Sequence, residues 1–247
     1  MFIKINKTII ILIIILWTKI ISAQAFFDLS ENKIKIETDF VGKEIIIFGI
    51  LNDDEETIIT IKGPERKAKI QKKERILGFW FNTKKITYDK IPSIFFIASS
   101  ANIEKILPTS SLIKEEIGFD YLLENKISQR NFISDISLES WGKNFVRLKK
   151  SKDLFKVFKI EKIENKLFQT RVFFPSDSIP GKYLVNVYQI KNNIILSKKE
   201  KILTLRKSGI GSQLYEFAHK NAAAYGFFTI VFAVLSGFLA ATLFRRY

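Results

Sequence analysis

Cysteine is absent from the 247 residues, and histidine and methionine each occur once. No disulfide, thiolate metal site or cysteine nucleophile can form, so stability rests on packing. The lone histidine, His219, cannot supply the several ligands of a typical metal centre, and a catalytic triad would need a carboxylate and a nucleophile beside it. Only Glu216 lies close in sequence, three residues earlier on the same helical face. The plain structural reading of His219 is a polar residue at a membrane surface. There is no Gly-rich phosphate loop, no G-x-S-x-G elbow and no paired-carboxylate motif. Internal repeats and low-complexity linkers are also missing. These absences leave no expected cofactor or metal, and they place enzyme activity third behind two binding readings.

Acidic residues are in short supply: 25 against 40 Lys and Arg, for a net charge of +15. Lys4, Lys7 and Lys19 lie in the first 25 residues, which hold no acid, so the remainder carries +12 (15 − 3). Such a charge could serve nucleic acid or anionic lipid. Lys, Ile, Asn and Phe abound along the whole chain, which fits an AT-rich coding bias, and nucleic acid is not an expected partner.

Long apolar runs stand at both ends. Ala222 to Phe244 contains no charged residue and is long enough for a membrane span. Arg245 and Arg246 follow it and favour a cytoplasmic C-terminus. At the other end, Lys4 and Lys7 precede an apolar run from Ile9 to Trp17 and the sequence Ala23-Gln24-Ala25. That is the pattern of a cleaved signal peptide, with a retained signal anchor as the rival. Together the ends predict a single-pass protein of the cell inner membrane, with its body in the periplasm and its C-terminus in the cytoplasm.

Between the ends the pattern is mainly β with helical insertions. Short strands at regular spacing, broken by turn residues such as Gly63-Pro64, predict a first β-sandwich-like (Ig-like) unit over 26–105. Within it, Glu44 to Leu51 reads as a strand buried on both faces, and Lys67 to Arg75 as a lysine-protected edge. Helical spacing over Ser110 to Asn125, with a capping region around Ser111, Glu115 and Glu116, and again over Ser137 to Lys156, marks a helical connecting region over 106–156. Leu138, Trp141, Phe145 and Leu148 form the apolar stripe of the second helix. A second β-rich unit is expected over 157–208, with a Pro180-Gly181 turn and Tyr183, Val185 and Val187 on one face. A juxtamembrane helix over 209–221 continues into the span over 222–244, and 245–247 form the tail.

Several stretches then resemble one family: DFVGKEIIIFG, KGPERKAKIQKKERILGFWFN, KIPSIFFIASS, LFQTRVFFPSDSIPGKYLVNVY, LRKSGIGSQLYEFAHKNAAAYG and the closing LAATLFRRY. In this order they resemble the alphaproteobacterial transmembrane protein family, in which no catalytic residue is assigned. The resemblance implies a signal peptide, an outward β-rich body and one C-terminal helix. It also implies an association with sulfite-exporter-like permeases.

Four further features invite a functional reading. Asn52 to Glu56 could attract calcium but lacks the ligand spacing and central Gly of an EF-hand loop, so a solvated turn is expected. Lys67 to Arg75 could meet anionic lipid, or simply protect an edge. Ile76 to Asn82 gathers Phe79, Trp80 and Phe81, which fit a strand filling a core better than a partner anchor. Ala233, Gly237 and Ala241 put small side chains on one helical face, where a second copy or a permease helix could pack closely. The expected function is a membrane-anchored interaction protein, an accessory subunit of an integral membrane partner. The alternative is a stand-alone periplasmic ligand- or envelope-binding module.

Overall fold

The computed structural model describes residues 26–51, 54–132, 138–164 and 166–245. The expected signal peptide, Asn52, Asp53, Arg246 and Tyr247 lie outside the described residues. The body is mainly β. One sheet has the order β1 (Phe27–Leu29), β3 (Gly42–Ile50), β11 (Leu167–Pro175), β10 (Glu161–Ile163). A second runs β2 (Lys33–Ile36), β13 (Ile194–Lys207), β12 (Gly181–Lys191), β4 (Glu56–Lys62), β7 (Phe95–Ser99), β9 (Phe155–Lys159). A third contains β5 (Glu65–Ile76), β6 (Phe79–Pro92) and β8 (Ile127–Arg130).

The two β-rich segments expected as separate units are interleaved and build one sandwich. β3 pairs with β11 along nine register positions, from Ile50↔Leu167 to Gly42↔Pro175. β4 pairs with β12 from Lys62↔Leu184 to Glu56↔Ile190. In chain order, β1, β3, β11 and β10 hold the A-B-E-D positions of an immunoglobulin-type sandwich, while β13, β12 and β4 hold G-F-C. β7 lies beside β4 as a C′ strand would, and β2 runs parallel to β13. Strand periodicity shows which residues face a core but not which distant strand lies alongside, so the sequence pattern left the pairing open.

Ile45, Ile47, Phe168, Val172 and Phe174 from one sheet meet Ile59, Ile61, Val185 and Val187 from the other. The opposite face of the six-stranded sheet is covered as well. There Ile58, Phe95, Ile97, Phe155 and Tyr188 meet Leu112, Ile117, Leu122 and Phe145. β4 is therefore buried on both sides, which explains its nearly unbroken Ile-Thr composition. β3, the strand expected to be buried on both sides, buries the row of Ile45, Ile47 and Gly49 and turns Phe48 and Ile50 outward. At the start of β12, the Tyr183 hydroxyl donates to the Ile179 carbonyl at 2.8 Å, and its ring meets Phe174 edge-on. This is the tyrosine corner of such sandwiches.

The helical region is more broken than its periodicity implies. It contains α1 (Ile103–Ile106), α2 (Thr109–Glu115), α3 (Phe119–Leu122) and α4 (Leu138–Lys150). Glu116 (φ 50°) and Gly118 (φ 122°) end one turn and begin the next, dividing the expected Ser110–Asn125 helix. Pro108, not Ser111, stands at the N-cap of α2. α4 buries Trp141, Phe145 and Val146, whereas Leu138 and Leu148 are exposed. After β13 come α5 (Ile210–Lys220) and α6 (Ala222–Phe244), separated by a break at Asn221 (φ −129°, ψ 54°). The Phe217 and Tyr225 rings pack across that elbow, 6.3 Å apart.

Candidate functional site

α6 is 23 residues long, has a mean hydropathy of 2.3 in its most apolar stretch, and has no buried residue. A core helix would be covered by its own protein, whereas this one presents apolar side chains all round, as a lipid-facing span does. Both of its threonine hydroxyls are satisfied locally: Thr229 donates to the Tyr225 carbonyl at 2.7 Å and Thr242 to the Leu239 carbonyl at 2.9 Å. Ala233, Gly237 and Ala241 lie on this helix, and a methyl group built at Gly237 meets nothing within 4 Å. Arg245 caps the last turn, its N–H donating to the Ala241 carbonyl.

The other candidates fall mostly to structural roles. His219 Nδ1 is 2.9 Å from the Tyr215 carbonyl, and the two rings lie 4.0 Å apart. Glu216 is engaged by Lys220 at 3.5 Å. Of the acidic turn, Glu56 pairs with Lys162 at 3.1 Å and also accepts from Ser100. Among the described residues no cluster of three His, Cys, Asp or Glu could hold a metal. Glu115 and Glu116, read as part of a capping region, instead tie α2 to the sheet. Glu115 accepts from Lys198 at 2.6 Å, and Glu116 from Lys62 at 2.9 Å and Lys126 at 2.8 Å. Burial alone would raise the Glu116 carboxyl, but the two ammonium groups hold it below its ordinary value.

The structure departs most from expectation at Ile76 to Asn82. These residues form the tip of a long two-stranded ribbon and are not core. β5 and β6 pair from Glu65↔Pro92 to Ile76↔Phe79 and are closed by Leu77 (φ 50°) and Gly78 (φ 91°). Positive φ at both central residues is the type I′ hairpin turn. Leu77 is 94% exposed, Phe79 71% and Trp80 67%. The alternation of Phe79 and Phe81 against Trp80 fits a strand, but among the described residues no layer covers either face at this height. Period alone cannot separate burial on both faces from exposure on both. The expected edge strand is seen: β5 is the outer strand of the order β5-β6-β8. Near the root, Ile86, Tyr88 and Ile91 are buried against the helices. The Lys149 ammonium donates to the Ser93 carbonyl there, and burial pushes its pKa down.

A second apolar surface, unsuspected in the sequence, lies on the outer face of the four-stranded sheet. Leu167 stands directly across from Ile50 on one side and Ile163 on the other, with Phe48 two positions along. All four are more than two-fifths exposed. The signal was the unbroken apolar run of β3, which supplies an outward row as well as an inward one.

An immunoglobulin-type body joined to one unburied apolar helix defines a membrane-anchored protein with one candidate transmembrane helix among the described residues. Over residues 24–246 the chain matches the family described as "Putative transmembrane protein (Alph_Pro_TM)", and it belongs to that family. No curated protein and no solved structure matches it.

Proposed function

We propose that the chain is a single-pass inner-membrane protein with its body in the periplasm, acting as an accessory subunit bound to an integral membrane partner. Binding, not catalysis, is its work. A sulfite-exporter-like permease is the partner class that the family resemblance offers. The outward row of Phe48, Ile50, Leu167 and Ile163 supports a protein partner. A contiguous exposed apolar patch is the usual mark of an interaction surface, and tethering by α6 confines it near other membrane proteins. Arg245 and Arg246 beside the span support the orientation.

Affinity purification of the native complex in mild detergent, followed by mass spectrometry, tests this. One integral membrane protein should co-purify with the wild type and be lost when Phe48→Lys and Leu167→Lys are combined. Failure of any membrane protein to co-purify, or its retention by the double variant, would overturn the reading. A reporter fused after Tyr247 should be active only in the cytoplasm; periplasmic activity would reverse the orientation.

A further inference from the structure

We propose that the tip of the β5–β6 ribbon inserts into the lipid interface of the same bilayer that α6 spans, giving the body a second contact with the membrane. The inference needs α6 to be a span, but it does not need the accessory-subunit reading or either orientation.

The first support is where the ribbon is rooted. The β4–β7 ladder continues directly into it: Lys62 pairs with Phe95, the Gly63 N–H donates to the Ile94 carbonyl, the Ser93 N–H donates to the Pro64 carbonyl, and Glu65 pairs with Pro92. Lys62 also pairs with Leu184, while Gly181, three residues before Leu184, pairs with Leu205. β13 ends two residues later, at Lys207, and leads into α5 and α6. The ribbon and the anchor therefore leave the six-stranded sheet at the same end. Only α5 and short flanks separate that end from the span, a helix of 11 residues, or about 17 Å at 1.5 Å rise. β5 has 12 residues, or about 40 Å at roughly 3.3 Å rise, so the ribbon is long enough to reach the bilayer.

The second support is the chemistry of the tip. Type I′ turns favour Asn, Asp or Gly, because a left-handed backbone costs other residues more. Here the first turn residue is Leu77, apolar and 94% exposed, flanked by Ile76, Phe79, Trp80 and Phe81. Water offers such a group nothing that asparagine would not offer at less cost.

Charge decides between lipid and protein. From Glu65 to Pro92 there are nine Lys and Arg and three acids, a net +6 (9 − 3). Lys72, Lys73 and Arg75 are exposed just below the aromatic tip, and Lys69 and Lys85 are exposed further along the ribbon. Protein interface cores are depleted in lysine. Aromatic rings beneath a lysine collar instead match the membrane interface, where rings sit at headgroup level and cations meet anionic lipid.

Because the chain has no native cysteine, single cysteines report position cleanly. The full chain is reconstituted into vesicles of phosphatidylethanolamine and phosphatidylglycerol, with an environment-sensitive fluorophore at Leu77→Cys. A control carries it at Ala101→Cys, exposed at the opposite end of the sheet. At the tip, emission should shift to the blue, nitroxide-labelled lipid should quench it, and aqueous iodide should quench it at least about fivefold less than at the control. Adding Phe79→Ser, Trp80→Ser and Phe81→Ser should restore iodide quenching while α6 still resists carbonate extraction. These rings are largely exposed, so the fold does not depend on them. Equal iodide quenching at both sites in carbonate-resistant protein would overturn the proposal and leave a protein as the tip's partner. Protection from iodide without quenching by labelled lipid would overturn it too, in favour of tip-to-tip contact between copies.

Discussion

Removing one oxygen, in Tyr183→Phe, tests whether the immunoglobulin-type corner holds the sandwich together. The Tyr183 ring is fully buried against Phe174 and its hydroxyl donates to the Ile179 carbonyl. Phenylalanine keeps the ring packing but leaves that carbonyl without its partner, a cost of about 1–2 kcal/mol. For a body of this size that lowers Tm by roughly 2–8 °C. The effect also carries a pH signature. Burial, the largest cause, pushes the Tyr183 phenol up to about 12, while the unfolded phenol titrates near 10. Its folded pKa is raised, so its contribution is fully present below about pH 10 and is lost as pH rises to about 12, because the unfolded chain releases the proton first. Linkage puts the loss at about 3 kcal/mol. Thermal melts of the full chain in detergent at pH 8 and at pH 11 would measure both effects. The wild type should lose more stability between those pH values than Tyr183→Phe does, and the difference between the differences isolates this one phenol from the lysines and other tyrosines that titrate alongside it. A Tm change below about 1 °C at pH 8, or identical alkaline losses in the two proteins, would refute the corner's role.

Glu116→Gln should destabilise the body by about 1 kcal/mol at pH 7, since Lys62 and Lys126 both lose their carboxylate. Because the folded Glu116 carboxyl is lowered, its contribution is present above the ordinary carboxylate range and is lost as pH falls through the folded value; the wild-type and Gln variants should converge in chemical denaturation once the pH is taken below that folded value. A fragment of residues 26–105 should give no cooperative melt, because β3 and β4 would lose β11 and β12; a sigmoidal transition would show that the first segment folds alone. Gly237→Leu should leave α6 inserted, since leucine favours the bilayer and a Cβ built at Gly237 meets no described atom within 4 Å. It should weaken partner or homotypic association several-fold if the Ala233–Gly237–Ala241 face is a packing surface; unchanged co-purification and self-association would reduce α6 to a plain anchor.

What the sequence made legible was local. The charge-free run over Ala222 to Phe244 is the one helix of span length among the described residues, because length and absence of charge are enough to define such an element. Tyr183, Val185 and Val187 do share a buried face, and β5 is an edge. What stayed hidden depended on contacts far along the chain. No periodicity in Glu44 to Leu51 reveals that β11, more than a hundred residues on, lies beside β3 and leaves Phe48 facing outward. Glu115 and Glu116 look like helix-terminal acids until the fold brings Lys198, Lys62 and Lys126 to them.

The aromatic tip shows why the missing information mattered for function. Phe79, Trp80 and Phe81 carry the composition of a core strand, and a sequence pattern assigns such residues to the interior by default. Topology reverses the assignment: β4 and β7 already fill the C and C′ positions, so the chain between them has no place left in the sandwich and extends as a ribbon. An insertion between two adjacent strands can lengthen without disturbing either sheet, because its ends remain a paired ladder at Gly63 and Ile94. The body can therefore carry exposed aromatics on this ribbon while its own core stays closed. Since ribbon and anchor share one end of the sheet, any surface the tip meets is constrained by the same tether that holds the body to the membrane.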